Sequence, residues 1–187
     1  SNFKIRVQDA NDPETYSDTP AFRVRGSLVI TSPVGTEKWS VGAVKPITWN
    51  RSGSISKVNL DYFDGTVWQA IYGPGNVRDI DNSGNFAWTI PDTLSVLAKV
   101  RITAVGFPDV TTTTPGVFKI MGGFNVTFPK GGEALVVGST ATITWTSSSA
   151  NIGYVQIDYS TDSGVNYDHS ITVTQANSYG NNSKSWP

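Results

Sequence analysis

Ser32–Asn50 reads SPVGTEKWSVGAVKPITWN, and Phe128–Thr146 reads FPKGGEALVVGSTATITWT. Laid over one another without a gap, they align Pro33 with Pro129, Glu37 with Glu133 and Gly42 with Gly138. The triplet Ile47-Thr48-Trp49 falls on Ile143-Thr144-Trp145. The match continues with small slips: Val58-Asn59-Leu60-Asp61-Tyr62 falls on Val155-Gln156-Ile157-Asp158-Tyr159, and Trp88 on Trp186. Identity at this many Trp, Pro and Gly positions marks an internal repeat, the signature of units that stack in series.

The repeat divides the chain. After Trp88 the first copy continues through Lys99-Val100-Arg101-Ile102 to Thr114–Ile120, whereas after Trp186 only Pro187 remains. At the other end, Lys4-Ile5-Arg6-Val7 matches Lys99–Ile102, and Thr19–Val24 matches Thr114–Ile120. Residues 1–26 therefore read as the terminal strands of a preceding or neighbouring repeat, 27–121 as a whole unit and 122–187 as the head of another. With no initiating Met and no signal-like segment, the chain reads as processed or as an excerpt.

Within the whole unit the patterning is all strand. Seven strands are expected: Leu28–Thr31, Lys45–Trp49, Ser56–Phe63, Val67–Tyr72, Phe86–Ile90, Lys99–Val105 and Gly116–Met121. Val100, Ile102 and Ala104 share one face while Arg101 and Thr103 share the other, as in a half-buried antiparallel strand. Turns are expected at Pro33/Gly35, Asp64-Gly65, Gly73-Pro74-Gly75, Asn82-Ser83-Gly84 and Phe107-Pro108-Asp109. Seven strands in about 95 residues is the size of an immunoglobulin-like or fibronectin-III-like β-sandwich. The fold class is thus all-β, a tandem of such sandwiches, with Trp49 a core residue.

Composition narrows the chemistry. Fourteen Lys+Arg against 15 Asp+Glu give a net charge of -1, without the basic patch that nucleic acid requires. No apolar run is long enough for a membrane span. There is no Cys, which excludes disulfides and thiolate sites. The single His169 has no His or Cys partner for a metal or a nucleophile set, and no G-x-S-x-G elbow is present. Twenty Ser and 21 Thr fill the space left by the scarce charges, as outward-facing strand residues.

The string Pro33-x-Gly35-x-x-x-Trp39-x-x-Gly42, followed by Ile47-Thr48-Trp49, Val58-x-Leu60-x-Tyr62 and Trp88-x-Ile90-Pro91, resembles the Ser/Thr-rich GPI-anchored membrane protein domain family, related to a yeast cell-wall glucan-assembly family. Similar units occur as tandem repeats in large secreted and surface proteins of bacteria. The second copy resembles the pattern through Pro129-Lys130-Gly131-Gly132-Glu133 and Ser160-Thr161-Asp162-Ser163-Gly164, but carries Leu135 where Trp39 stands. The resemblance implies β-sandwich repeats in an extracellular or cell-surface setting, with no catalytic residues to carry over.

Five features invite a functional reading beside a structural one. Trp39, Trp68 and Tyr72, if exposed together, would stack on sugar rings; the plainer role is packing. Asp79-x-Asp81-x-Ser83-Gly84 partly resembles a calcium loop, although its twelfth position is Ile90 rather than Glu; otherwise it is an Asx-turn hairpin. Asp9–Glu14 is an acidic loop of the same ambiguity. Ser160-x-Asp162-x-Gly164-x-x-Tyr167 resembles an Asp-box, with Trp68 opposite Tyr167 across the repeat, and reads chiefly as a turn. Finally, Phe3, Ile5, Val7, Phe22 and Val24 are assembly-strand candidates, completing the 122–187 unit of a neighbouring copy by strand addition. The alternative is that the neighbouring units are covalent. The expected function is a non-catalytic stalk, filament or surface-layer spacer needing no cofactor. Its expected partners are neighbouring copies or repeats; a cell-wall polysaccharide-binding module or an accessory domain of a secreted hydrolase is the competing expectation.

Overall fold

The computed structural model describes residues 2–187. Residues 2–23 form a hairpin of β1 (Asn2–Phe3), β2 (Arg6–Gln8), β3 (Tyr16–Asp18) and β4 (Phe22–Arg23). β1 pairs with β4 and β2 with β3, both antiparallel, and none of the four pairs with a strand of 27–121.

The next ten strands build one sandwich: β5 (Ser27–Ser32), β6 (Lys38–Ser40), β7 (Val44–Ser52), β8 (Lys57–Phe63), β9 (Trp68–Ile71), β10 (Ile80–Asp81), β11 (Asn85–Thr89), β12 (Ser95–Ala104), β13 (Phe107–Thr113) and β14 (Phe118–Met121). β11-β7-β5 make one sheet. The facing sheet runs β10-β8-β12-β14-β6, with β9 on β8 and β13 on β12. This is the immunoglobulin-like and fibronectin-III-like arrangement expected of the sequence. All seven expected strands are present with ends shifted by a few residues.

Three strands were not legible. β6 is only three residues long and exists by parallel pairing with β14, Ile120 opposite Trp39. β10 is a two-residue strand on β8. β13 includes Phe107-Pro108-Asp109, which the sequence places in a turn; the reversal is instead the tight Val105-Gly106 pair, where Gly106 takes a φ of 80°.

The two sheets close over a single core in which Ile47, Val58, Leu60, Val100 and Ile102 are fully shielded. Trp39 packs on Phe118 with ring centroids 4.8 Å apart and meets Trp88 edge-on at 6.1 Å. Trp49 is buried as expected, and its polar edge is satisfied within the core. Its indole N–H donates to Asn82 Oδ1 at 2.7 Å, and Asn82 Nδ2 donates to the Ile55 carbonyl at 2.8 Å. One buried amide thereby ties the β7 sheet to the chain entering β8 on the other.

The last segment carries β15 (Phe124–Phe128), β16 (Ala141–Ser147), β17 (Tyr154–Tyr159), β18 (His169–Ala176) and β19 (Gly180–Trp186). β15-β16-β19 form one sheet and β17-β18 a second. The details of the first sandwich recur. Trp145 donates to Asn177 Oδ1 at 2.9 Å, and Asn177 donates to the Ile152 carbonyl at 2.6 Å. Thr127 and Thr144 share a hydroxyl hydrogen bond at 2.7 Å, as Thr31 and Thr48 do at 2.8 Å. Glu37 accepts from the Val34 and Gly35 N–H groups, and Glu133 from those of Lys130 and Gly131. Tyr159 lies 5.1 Å from Trp186, the separation of Tyr62 from Trp88.

Replacing Asn82 with Ala leaves a buried indole N–H and a carbonyl without partners. Asn82→Ala is therefore expected to cost the 27–121 sandwich about 2–4 kcal/mol, read by denaturant unfolding followed through Trp fluorescence.

Candidate functional site

The three aromatic residues proposed for sugar stacking do not share a surface. Trp39 is only 6% exposed and its ring is enclosed by Phe118 and Trp88, which corrects its assignment to a binding face. The cause is its pairing: β6 runs beside β14, and a three-residue strand with polar Lys38 and Ser40 outward must turn its middle residue inward.

Trp68 and Tyr72 do lie outward, four residues apart, with Ile71 between them in the core. Their surroundings are ionic. The Arg101 guanidinium stacks 4.3 Å from the Trp68 ring centroid, and Phe63 meets the same indole at 5.4 Å. The Arg78 guanidinium lies 5.9 Å from the Tyr72 ring. Asp61, almost buried, joins the two arginines, 2.9 Å from Arg78 and 3.1 Å from Arg101. Each ring thus presents π density to a cation held in place by a shared carboxylate. That arrangement braces the outer face of the sheet. Nothing in the residue types singled out Asp61, Arg78 and Arg101, since the three come together only through the β8–β12 register and the loop after β9.

Two of the calcium candidates have other partners. Asp81 pairs with the Lys57 ammonium at 2.6 Å, so a cation already occupies its carboxylate. The Ser83 hydroxyl is spent on the Asn85 carbonyl at 2.8 Å. Among the described residues, no group of three or more His, Asp or Glu side chains could hold a metal ion. Asp81 stands opposite Lys57 in the β10–β8 ladder, the register that brings the two side chains together. In the Asp9–Glu14 loop, Asp9 accepts from the Asn11 N–H and Asp12 from the Glu14 N–H and the Thr15 hydroxyl, all local turn bonds.

The Asp-box string is a turn. Asp162 accepts from the Asn166 N–H at 2.9 Å, the Ser160 hydroxyl and the Asn166 amide, which hold its carboxyl down to about 2. Asp64 accepts from the Thr66 hydroxyl and the Val67 and Thr66 N–H groups, and is held well below the usual carboxylate range. The pairing register sets Tyr159 opposite His169 and Tyr62 opposite Gln69, so Trp68 does not correspond to Tyr167. His169 stacks on Tyr159 at 4.9 Å and lies 3.5 Å from Asp168.

No family model matches this chain, and no curated protein does. Among solved structures, the chain is similar to the fibronectin(III)-like modules of Clostridium thermocellum CbhA. The two are 14% identical with a TM-score of 0.30, over 84% of this chain and 77% of that one.

A further feature that sequence reasoning missed lies at the junction after β14. Asp92, in the loop after β11, reaches the following segment. It accepts from the Ser149 hydroxyl at 2.5 Å and the Ala150 N–H at 2.7 Å, while its own carbonyl accepts from Asn151 Nδ2 at 2.7 Å. Ser149 is fully buried. Beside this clasp, a Cβ on Gly122 would meet Ser149 Cβ at 2.9 Å, so glycine suits the close approach there. The Asp61 brace yields a measurable expectation. Asp61→Asn should destabilise 27–121 by about 2 kcal/mol, read by thermal or denaturant unfolding, because two guanidinium groups lose their anion.

Proposed function

We propose that this chain is a non-catalytic structural module of an extracellular protein, working as a stalk, filament or surface-layer spacer. The observation that carries the reading is the clasp of Asp92 on Ser149, Ala150 and Asn151. A spacer must hold successive units at a set angle, and a carboxylate bridging two units across a glycine-tight junction does that. The aromatic faces support the same reading, because arginine side chains cover one side of both Trp68 and Tyr72. The extracellular setting rests on the resemblance of the repeated string. The near-neutral charge and hydroxyl-rich faces suit a polymer whose shape is insensitive to salt.

Asp92→Ala should broaden the distribution of distances between the two segments, measured by small-angle X-ray scattering, and leave unfolding of 27–121 unchanged. Saturable binding to a cell-wall polysaccharide on a glycan array, lost in Trp68→Ala, would replace the spacer reading with that of a carbohydrate-binding module. The clasp also carries a pH dependence. The Ser149 hydroxyl, with the Ala150 and Asn151 donors, holds the Asp92 carboxyl below its ordinary range against burial. A depressed carboxyl stabilises the junction above its unclasped pKa, and that stabilisation is lost as pH falls through the clasped one. The scattering profile should therefore be constant at neutral pH and loosen only in acid below the ordinary Asp range, toward that of Asp92→Ala.

A further inference from the structure

We propose that the outer edge of β11 is a docking site for one extended, uncharged peptide strand of another protein, which adds to the β11-β7-β5 sheet and lays alternate apolar side chains into the recess beside it. The site lies wholly within 27–121. It goes beyond the spacer reading and does not depend on it.

The hydrogen-bond register decides what β11 offers. Trp49 donates its N–H to the Gly84 carbonyl at 3.0 Å, and Ile90 donates to the Ala43 carbonyl at 2.9 Å. In an antiparallel ladder bonded and non-bonded pairs alternate, so Gly84, Phe86, Trp88 and Ile90 spend their main-chain groups on β7. Asn85, Ala87 and Thr89 turn theirs the other way. Ala87 stands opposite Pro46, which has no N–H to give, as suits a non-bonded pair. Among the described residues β11 pairs with β7 alone. The Asn85 carbonyl accepts from the Ser83 hydroxyl at 2.8 Å, which leaves the N–H and C=O groups of Ala87 and Thr89 as the open ladder.

Edge strands are ordinarily guarded against such addition by charge, proline, bulges or brevity. β6 carries Lys38 in only three residues, β13 carries Pro108 and Asp109, and β10 is two residues long. β11 reads Asn85-Phe86-Ala87-Trp88-Thr89, with no charge and no proline, and pairs with β7 without a register shift. Asn85, Ala87 and Thr89 are all exposed.

The edge lies in a recess of about 600 Å³ between the open sides of the two sheets. That is within the range of about 300–1,000 Å³ typical of ligand sites. β11 forms one wall, Tyr72-Gly73-Pro74 after β9 the other, and Tyr62, Ile71 and Trp88 an apolar floor. Among the described residues no charged side chain lines it. A charged side chain entering would lose its hydration without gaining a counter-charge, whereas an apolar one is stabilised there. Main-chain bonds to Ala87 and Thr89 would supply affinity and the recess would select the alternate side chains, as in strand addition. The far wall favours a single strand over a second copy, whose β11 would bring its own sheet and its own Tyr72-Gly73-Pro74 wall into the recess.

The test titrates the whole chain, isotope-labelled for NMR, with the blocked peptide acetyl-Thr-Val-Thr-Val-Thr-amide. Amide resonances of Asn85–Thr89 and of Tyr72 and Gly73 should shift saturably, and the Ala87 and Thr89 N–H groups should exchange more slowly with peptide bound. The analogue with Asp in place of each Val should not bind. Of two peptides N-methylated at alternate residues, the one whose methyl groups face β11 should lose binding and the other keep it. Ala87→Pro removes one outward N–H and spares the β7 ladder, so peptide affinity should fall about tenfold with 27–121 still folded. The methylated peptides put the same question to the parent chain if that variant unfolds. No saturable shift, or equal affinity of the two methylated peptides, overturns the inference. So does the same set of shifts on concentrating the chain without peptide, which would assign the edge to a second copy. Each of these results leaves the Asp92 clasp, and the scattering expected of it, untouched.

Discussion

The buried indole N–H of Trp49 is the constraint around which the sandwich is arranged. A large apolar side chain in the centre of β7 brings a donor into the core, and a donor there must be paired. Asn82 meets the need from the loop between β10 and β11 and passes the bond to Ile55, ahead of β8. One amide from a distant loop thereby positions both the centre of β7 and the entry to β8. Trp145, Asn177 and Ile152 make the same bridge although that segment has fewer strands, so the bridge does not depend on the sandwich being closed.

The sequence made the strands of 27–121 legible because their two-residue alternation is local. It did not show β6, whose existence depends on β14, some eighty residues downstream. Nor did it place Trp39: a tryptophan between Lys38 and Ser40 has the same neighbours whether it faces solvent or core, and only the sheet decides. Phe107-Pro108-Asp109 carries turn residues but lies in a strand, because Gly106 had already supplied the reversal. Asn82 and Asn177 escaped notice because the loops around them differ in length and take the two residues out of the register that aligns Tyr62 with Tyr159 and Trp88 with Trp186. The brace of Asp61 with Arg78 and Arg101 and the clasp of Asp92 have no local signature at all. They are products of register and of the junction.

The same few residues can be compared in two settings. Leu28 and Phe124, Ile30 and Val126, and Trp39 and Leu135 occupy matching places, yet the first of each pair is buried and the second exposed or half-exposed. Amino-acid type sets which face of a strand is apolar. Burial is decided by whether β12 and β14, or their counterparts, are present to cover it. Hydroxyl pairs such as Thr31–Thr48 and Thr127–Thr144 form in both settings because they need only adjacent strands.

The parallel pairing of β6 with β14 has a mechanical side. β6 lies near the entry of the 27–121 unit and β14 at its exit, and they run side by side in the same direction. A pull on the two ends of the unit drags these strands in opposite senses along their common axis. The ladder between them is then loaded in shear, its bonds sharing the force, rather than peeled open one at a time.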